Sequence, residues 1–281
     1  MPEIGDRVIQ AGKGLLSLSL ASVIRTSLGG WKQGRQSLED TYRAVSPFAP
    51  LRVGAGQKMF ERIPARSLAS LGGVLDRVTL DLRFVSVDGS TPYQDLIAIL
   101  ALAKKQNPSA ALEFGTYFGS ATANLALNLP DATINTIDLP EDLPEASALI
   151  EGKSVDDLHL IHGRQLGKAF RGTPLESRIV QHTGDTATYD YSVIPGPISF
   201  FLIDGAHTYE YARNDTMRSF AAAEGDCTFL WHDCEPYTPG VLRCLVELID
   251  AGLPIVRVEG TAVGCLQVDA QDPRVRRFIQ D

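Results

Sequence analysis

Ionisable residues close one apolar run after another through the middle of this chain. Glu113 stands just before Gly115 and Gly119, and Asp138 ends the run Thr133–Ile137. Asp185 follows Gly184, Asp204 and His207 follow Ile198–Ile203, and His232-Asp233 follows Cys227–Trp231. Carboxylates accept hydrogen bonds from hydroxyl and amino groups or bind a hard cation, and an imidazole titrating near neutrality can take a hydroxyl proton. Asp138 lies nineteen residues past Gly119. An acid at that spacing after a glycine turn is placed to accept from ribose hydroxyls. Glu113 sits inside an apolar strand, where burial without partners is costly, so it is expected to have a task beside the glycine turn. Asp185 could accept from an adenine amino group. His207 and His232 are the candidate general bases, His207 being favoured, while His159, His162 and His182 are read as structural.

The elements that must bring these residues together alternate in type. Ala110–Phe114 reads as a buried strand, followed by a glycine turn and by a helix capped at Ser120 and running to Asn128. Further strands are expected at Thr133–Ile137, Arg178–His182, Ile198–Ile203 and Cys227–Trp231. Helices are expected at Tyr93–Gln106, within 140–172, at His207–Ala223 and from Pro239 to Ala251. Ile255–Val258 and Val263–Val268 should close the sheet as an antiparallel hairpin. This order predicts an α/β fold with a doubly wound, mostly parallel sheet whose strand ends share one crevice. Val78–Val87 alternates as a candidate edge strand. Residues 1–75 read as a helical extension to a domain spanning 76–281. The extension has a Leu16, Leu20, Ile24, Leu28 repeat, a helix over Ser37–Val45, breaks at Pro47, Pro50, Gly54 and Gly56, and a third helix over Met59–Leu71. It could serve as a lid, a cap over a cleft or an arm joining identical subunits.

Of the 281 residues, 44% are hydrophobic and 21% charged, which provides for a substantial core and excludes global disorder. The net charge of -8 argues against nucleic acid as a partner. Ten Lys/Arg against five Asp/Glu make residues 1–75 basic, leaving sixteen against twenty-nine, a net of -13, for the remainder. The four cysteines form no CxxC pair, as expected of reduced thiols in a cytoplasmic protein. No secretory signal and no run long enough for a transmembrane helix is present in the sequence.

The turn Gly115-Thr116-Tyr117-Phe118-Gly119 lacks the glycine spacing of a dinucleotide fingerprint, and two aromatic residues occupy the place a pyrophosphate needs. An adenosine without phosphates suits it better. The stretch Glu113–Ser120 with Asp138 resembles the first two motifs of class I S-adenosylmethionine-dependent methyltransferases. Ile203–Glu210 and Leu230–Asp233 resemble the subgroup of macrolide-sugar O-methyltransferases and cephalosporin-hydroxylase-type proteins. The resemblance covers roughly residues 90–270 and implies a Rossmann-like methyltransferase sheet. It implies that Glu113, Gly115 and Gly119, with Thr116 and Ser120 of the same motif, line the methionine and ribose of S-adenosylmethionine. Asp138 would hold the ribose and Asp185 the adenine, with Asp204 beside the cofactor. It also maps a Mg²⁺ site onto Asp204 and Asp233, although Cys234 follows where relatives often carry Asp or Asn.

The implied reaction is methyl transfer to an oxygen of a small molecule, a sugar hydroxyl among the candidates. A hydroxylase-type enzyme, a nicotinamide oxidoreductase and a non-catalytic adenosine-binding protein are the alternatives. A thiol nucleophile at Cys234 is disfavoured. Trp231, Tyr237, Tyr117, Phe118 and Tyr209 are expected mostly in packing roles, and Arg164, Lys168 and Arg171 on a solvated helix face.

Overall fold

Alternation along the central strands sends side chains to two buried faces, and this organises the molecule. The computed structural model describes residues 49–73, 78–83, 89–141 and 164–280. The chain divides into two compact units, Met1–Gly54 and Ala55–Asp281. The helices expected near Leu16–Leu28 and over Ser37–Val45, and most of the 140–172 crossover with His159 and His162, lie outside the described residues.

In chain order the elements are α1 (Ala49–Arg62), β1 (Ala65–Arg66), α2 (Tyr93–Gln106), β2 (Ala110–Phe114), α3 (Ser120–Asn128) and β3 (Thr133–Asp138). Then come β4 (Ile179–Thr183), β5 (Ile198–Ile203), α4 (Tyr209–Ala222) and β6 (Ala223–Trp231). The described chain closes with α5 (Pro239–Asp250), β7 (Val256–Val258), β8 (Gly264–Asp269) and α6 (Pro273–Gln280). One sheet has the order β1-β7-β8-β6-β5-β2-β3-β4. Every pairing is parallel except those of β8 with β6 and β7, so the expected closing hairpin and doubly wound, mostly parallel sheet are present.

Leu112, Phe114, Phe201, Ile203, Phe229 and Trp231 face one core with residues of α4, α5 and α6. Ala111, Phe200, Leu202 and Leu230 face the other, with α2 and α3. Phe201 and Phe229 stack with centroids 4.9 Å apart. Trp231 is fully buried and donates Nε1–H to Thr216 Oγ1 at 2.8 Å, so it is core and not a substrate wall.

Three expectations need correction. First, α1 runs through Pro50, Gly54 and Gly56, because Pro50 lies in the first turn, where no helical N–H is required. Gly56 is needed for a different reason: a Cβ there would come within 2.1 Å of the Pro236 carbonyl oxygen. Second, α1 stops at Arg62, before Pro64, and Ala65–Arg66 pairs parallel with β7 instead of continuing a helix to Leu71. Residues 55–73 fall in the same compact unit as the sheet.

Third, residues 78–83 join no strand, while residues 84–87 of the expected edge strand lie outside the described residues. Asn128 Oδ1 accepts from Thr79 N at 2.9 Å and its Nδ2 donates to Thr79 O at 2.7 Å. Asn124 repeats the pattern with Asp81 at 2.7 and 3.0 Å. Two residues of extended chain advance about 6.7 Å and four residues of helix about 6 Å, so amides at i and i+4 can act as a neighbouring strand.

Candidate active site

β2 pairs with β3 on one side and β5 on the other, so the direction of winding reverses between β2 and β5. Open α/β sheets form their ligand crevice beyond such a point. Backbone bonds continue past the strand ends: Gly184 N to Asp138 O, Gly115 N to Ile137 O, Asp204 N to Phe114 O, and His232 N to Ile203 O, each at 2.8–3.0 Å. The expected strand-end residues are therefore locked side by side in register.

The glycine turn is held from below by Asp138. Its Oδ2 accepts from Thr116 N at 3.0 Å and Tyr117 N at 2.8 Å, while Oδ1 accepts from Leu139 N at 2.7 Å and Arg164 Nη1 at 2.9 Å. Burial pushes the Asp138 carboxyl up, opposed first by the Arg164 charge and then by the backbone donors. Arg164 is buried in this ion pair and is not on a solvated face. Residues 166–172 form turns where helix was expected; Gly167 N and Ala169 N donate to Tyr117 O and Phe118 O.

Gly115 and Gly119 have positive φ, at 93° and 77°. Their Cβ directions meet protein: the Asp204 carbonyl oxygen at 2.1 Å for Gly115 and the Phe170 ring at 2.6 Å for Gly119. Both glycines thus serve close approach of the chain to itself. Gly119, not Ser120, is the cap of α3 and supplies no side-chain bond. Ser120 Oγ is buried at the helix start without a partner among the described residues.

Glu113 is 1% exposed. Its Oε2 accepts from Thr122 Oγ1 and, at 2.6 Å, from Thr136 Oγ1. Burial outweighs these bonds and raises the carboxyl to about 8. Asp185 accepts from Ala187 N at 2.9 Å and from Tyr211 O–H at 2.8 Å.

Beyond β5 and β6 the polar residues form one connected centre. His207 Nε2 lies 2.7 Å from Asp233 Oδ2. His232 Nδ1 lies 3.0 Å from Asp204 Oδ1 and 3.2 Å from Asp233 Oδ2, and its Nε2 lies 3.0 Å from Asp95 Oδ2. With a carboxylate against each ring nitrogen, His232 is built to be an imidazolium. Burial alone would lower its pKa, but Asp204 and Asp233 hold it well above the usual histidine range. Asp233 is held well below the ordinary carboxylate range, because His232 and His207 outweigh the cost of its burial. Its φ of 56° is left-handed, an uncommon conformation for a residue other than glycine.

Asp95 and Thr91 were not anticipated from the sequence. Asp95 enters from the first turn of α2 and also accepts from Ala262 N at 3.2 Å, and Thr91 Oγ1 donates to Asp204 Oδ2 at 3.1 Å. The one signal for Asp95 is a carboxylate on an otherwise apolar helix face.

Residues 112–234 match the family described as Methyltransferase domain. The match takes in less than half of the chain. Among solved structures, the S-adenosylhomocysteine-bound methyltransferase of Podospora anserina is 13% identical, with 76% of this chain and 86% of that chain covered at a TM-score of 0.46. A putative caffeoyl-CoA O-methyltransferase from Staphylococcus aureus is 14% identical, covering 67% and 90% at 0.48. An O-methyltransferase of tomaymycin synthesis from Streptomyces achromogenes is 15% identical, covering 73% and 92% at 0.44. No curated protein matches the chain.

The matched stretch ends at Cys234, which is fully buried, as are the thiols of Cys227, Cys244 and Cys265. His182 packs beside β3, bonded to Tyr189 O–H at 2.8 Å and to Asn135 at 3.2 Å, in the structural role expected of it. Among the described residues, Asp204, His232 and Asp233 form a group whose ligand atoms lie within 4.8 Å of one another. No described helix is long and apolar enough to cross a membrane.

Proposed function

We propose that this methyltransferase domain takes a methyl group from S-adenosylmethionine and passes it to a hydroxyl oxygen of a small molecule, with His207 as general base. The observation that carries the reading is the His207–Asp233 pair at the crevice mouth, 2.7 Å apart, with His207 the more exposed of the two crevice histidines. Asp233, held ionised, fixes the His207 tautomer with its proton on Nε2, which makes Nδ1 the basic atom. His232 has both nitrogens engaged by carboxylates and is buried, so it positions Asp233 and Asp204 and takes no proton from the acceptor.

Bound S-adenosylmethionine supplies an electrophilic methyl on a sulfonium. The residues fit such a cofactor: Ser120 Oγ is a buried polar atom lacking a partner among the described residues, and it sits where the glycine turn opens into a helix. Ser120 and Thr116 with Glu113 would border the amino-acid part, Asp138 the ribose and Asp185 the adenine, with Asp204 and the backbone of Gly115 and Gly119 at the floor. What the chain contributes is orientation, worth several orders of magnitude in rate, and removal of the acceptor proton.

Asp204, Asp233 and His232 are also the residues that would hold a divalent cation such as Mg²⁺, which when bound lowers the pKa of a hydroxyl. The cation and the His232 proton compete for one place, because Nδ1 lies between the two carboxylates. The acidic balance and the buried thiols support a cytoplasmic enzyme acting on small molecules and not on nucleic acid. The basic N-terminal extension is proposed as the part that closes on the substrate or joins subunits.

The test is transfer of labelled methyl from S-adenosylmethionine to a panel of hydroxylated acceptors, with and without Mg²⁺. Transfer to at least one acceptor that fails in His207→Ala supports the reading. Cofactor binding without transfer to any acceptor would leave a binding protein in place of an enzyme.

A further inference from the structure

Asp138 has no acceptor position to spare. A carboxylate offers about four lone-pair sites. Here Thr116 N, Tyr117 N, Leu139 N and Arg164 Nη1 fill them at 2.7–3.0 Å. The first three donors are backbone groups fixed by the turn and by the end of β3. Only the fourth rests on a side chain that can rotate away. Arg164 is buried, with its side chain 5% exposed, yet its Nε has no partner among the described residues. Its remaining bond runs from Nη2 to Leu139 O at 2.5 Å. Its guanidinium is therefore well placed against Asp138 but incompletely satisfied.

We propose that Arg164 gates the cofactor site: it occupies the Asp138 oxygen that a ribose hydroxyl needs, and the nucleoside binds by displacing it. The inference rests on the cofactor reading above and adds a residue to it that neither the glycine turn nor the strand-end acids identify. The exchange is of like for like at the acceptor, since an N–H donor leaves Oδ1 and an O–H donor arrives. A ligand lacking ribose hydroxyls gains nothing by the exchange, so Arg164 selects against it. The segment that carries Arg164 stays in place meanwhile, because Gly167 N and Ala169 N remain bonded to the turn carbonyls of Tyr117 and Phe118.

The experiment is calorimetric titration of the full chain with S-adenosylhomocysteine and with its 2′,3′-dideoxy analogue, in wild type, Arg164→Ala and Arg164→Lys. Arg164→Ala is expected to bind S-adenosylhomocysteine about tenfold more tightly, the scale of one charge-assisted hydrogen bond no longer displaced. The dideoxy analogue should gain less than twofold. Arg164→Lys, which keeps the charge but loses the fork, should gain in the same direction and by less, and it decides the matter should the alanine variant not fold. Unchanged or weaker binding of S-adenosylhomocysteine in the variants, with wild type binding normally, overturns the gate alone. An equal gain for both ligands also overturns it. No binding to wild type overturns the cofactor reading and the gate together.

Discussion

Nε2 of His207 and Oδ2 of Asp233 lie 2.7 Å apart, on loops that follow adjacent parallel strands, β5 and β6. The pair exists because the sheet ladder continues beyond Ile203 and Trp231, through His232 N to Ile203 O at 3.0 Å. On the proposed mechanism, replacing His207 by Ala or Asp233 by Asn lowers methyl transfer by about 10²–10⁴-fold, the usual worth of a positioned base. S-adenosylhomocysteine affinity should change less than threefold, as calorimetry would show. Equal loss of affinity and rate would place these residues in cofactor binding instead.

Asp95 and His232 form a buried ion pair, 7% and 8% exposed on their side chains. Removing Asp95 takes the carboxylate from Nε2 while Asp204 and Asp233 still face Nδ1, so what is lost is one charge-assisted hydrogen bond in the interior. Asp95→Asn should therefore destabilise the fold by about 1.5–3 kcal/mol in urea unfolding. Thr91→Val, which loses a single hydrogen bond to Asp204, should cost about 1 kcal/mol. Similar small effects for both would mean that His232 is not charged.

Glu113 gives the protein a pH dependence of definite sign. Burial raises its folded-state pKa to about 8, above the ordinary value of 4.5, and Asp215 is raised in the same way to about 7. The folded state then keeps protons that the unfolded state has released. Stability is greatest at or below the ordinary carboxylate range and is lost as pH rises toward 8, by up to ~1.4 kcal/mol per pH unit for each group. Unfolding between pH 5 and 8 should show this fall in wild type and a shallower one in Glu113→Gln. Identical slopes would contradict the assignment.

A divalent ion seated between Asp204 and Asp233 must expel the proton on His232 Nδ1. Binding of Mg²⁺ or Mn²⁺ should then release about one proton per ion, measurable as a buffer-dependent heat in calorimetry. Binding with no proton release would show that the metal sits clear of the imidazole.

Much of this architecture was legible in the sequence where burial and period agree. The continuous apolar run Ala110–Phe114 and the broad apolar face of Tyr93–Gln106 gave elements whose bounds coincide with β2 and α2. The strand-end acids were legible because a parallel sheet gathers carboxyl ends. What escaped were contacts made by side chains across the fold. The Asn124 and Asn128 amides bonded to the backbone of Asp81 and Thr79 have no sequence period. Arg164 follows an irregular segment and looks like any surface arginine until Asp138 is beside it. Asp95 is one charge in a helix that otherwise reads as core. The glycines were legible as glycines, but that their missing Cβ atoms make room for Asp204 and Phe170 is visible only in three dimensions.

The most direct test of the central claim is calorimetric titration of the wild-type protein with S-adenosylhomocysteine, beside Ser120→Val and NAD. The account predicts saturable binding of one nucleoside per chain, weakened by about tenfold in Ser120→Val through loss of the buried hydroxyl's bond, and no binding of NAD. Absence of nucleoside binding to the wild type, or preferential binding of NAD, would contradict it.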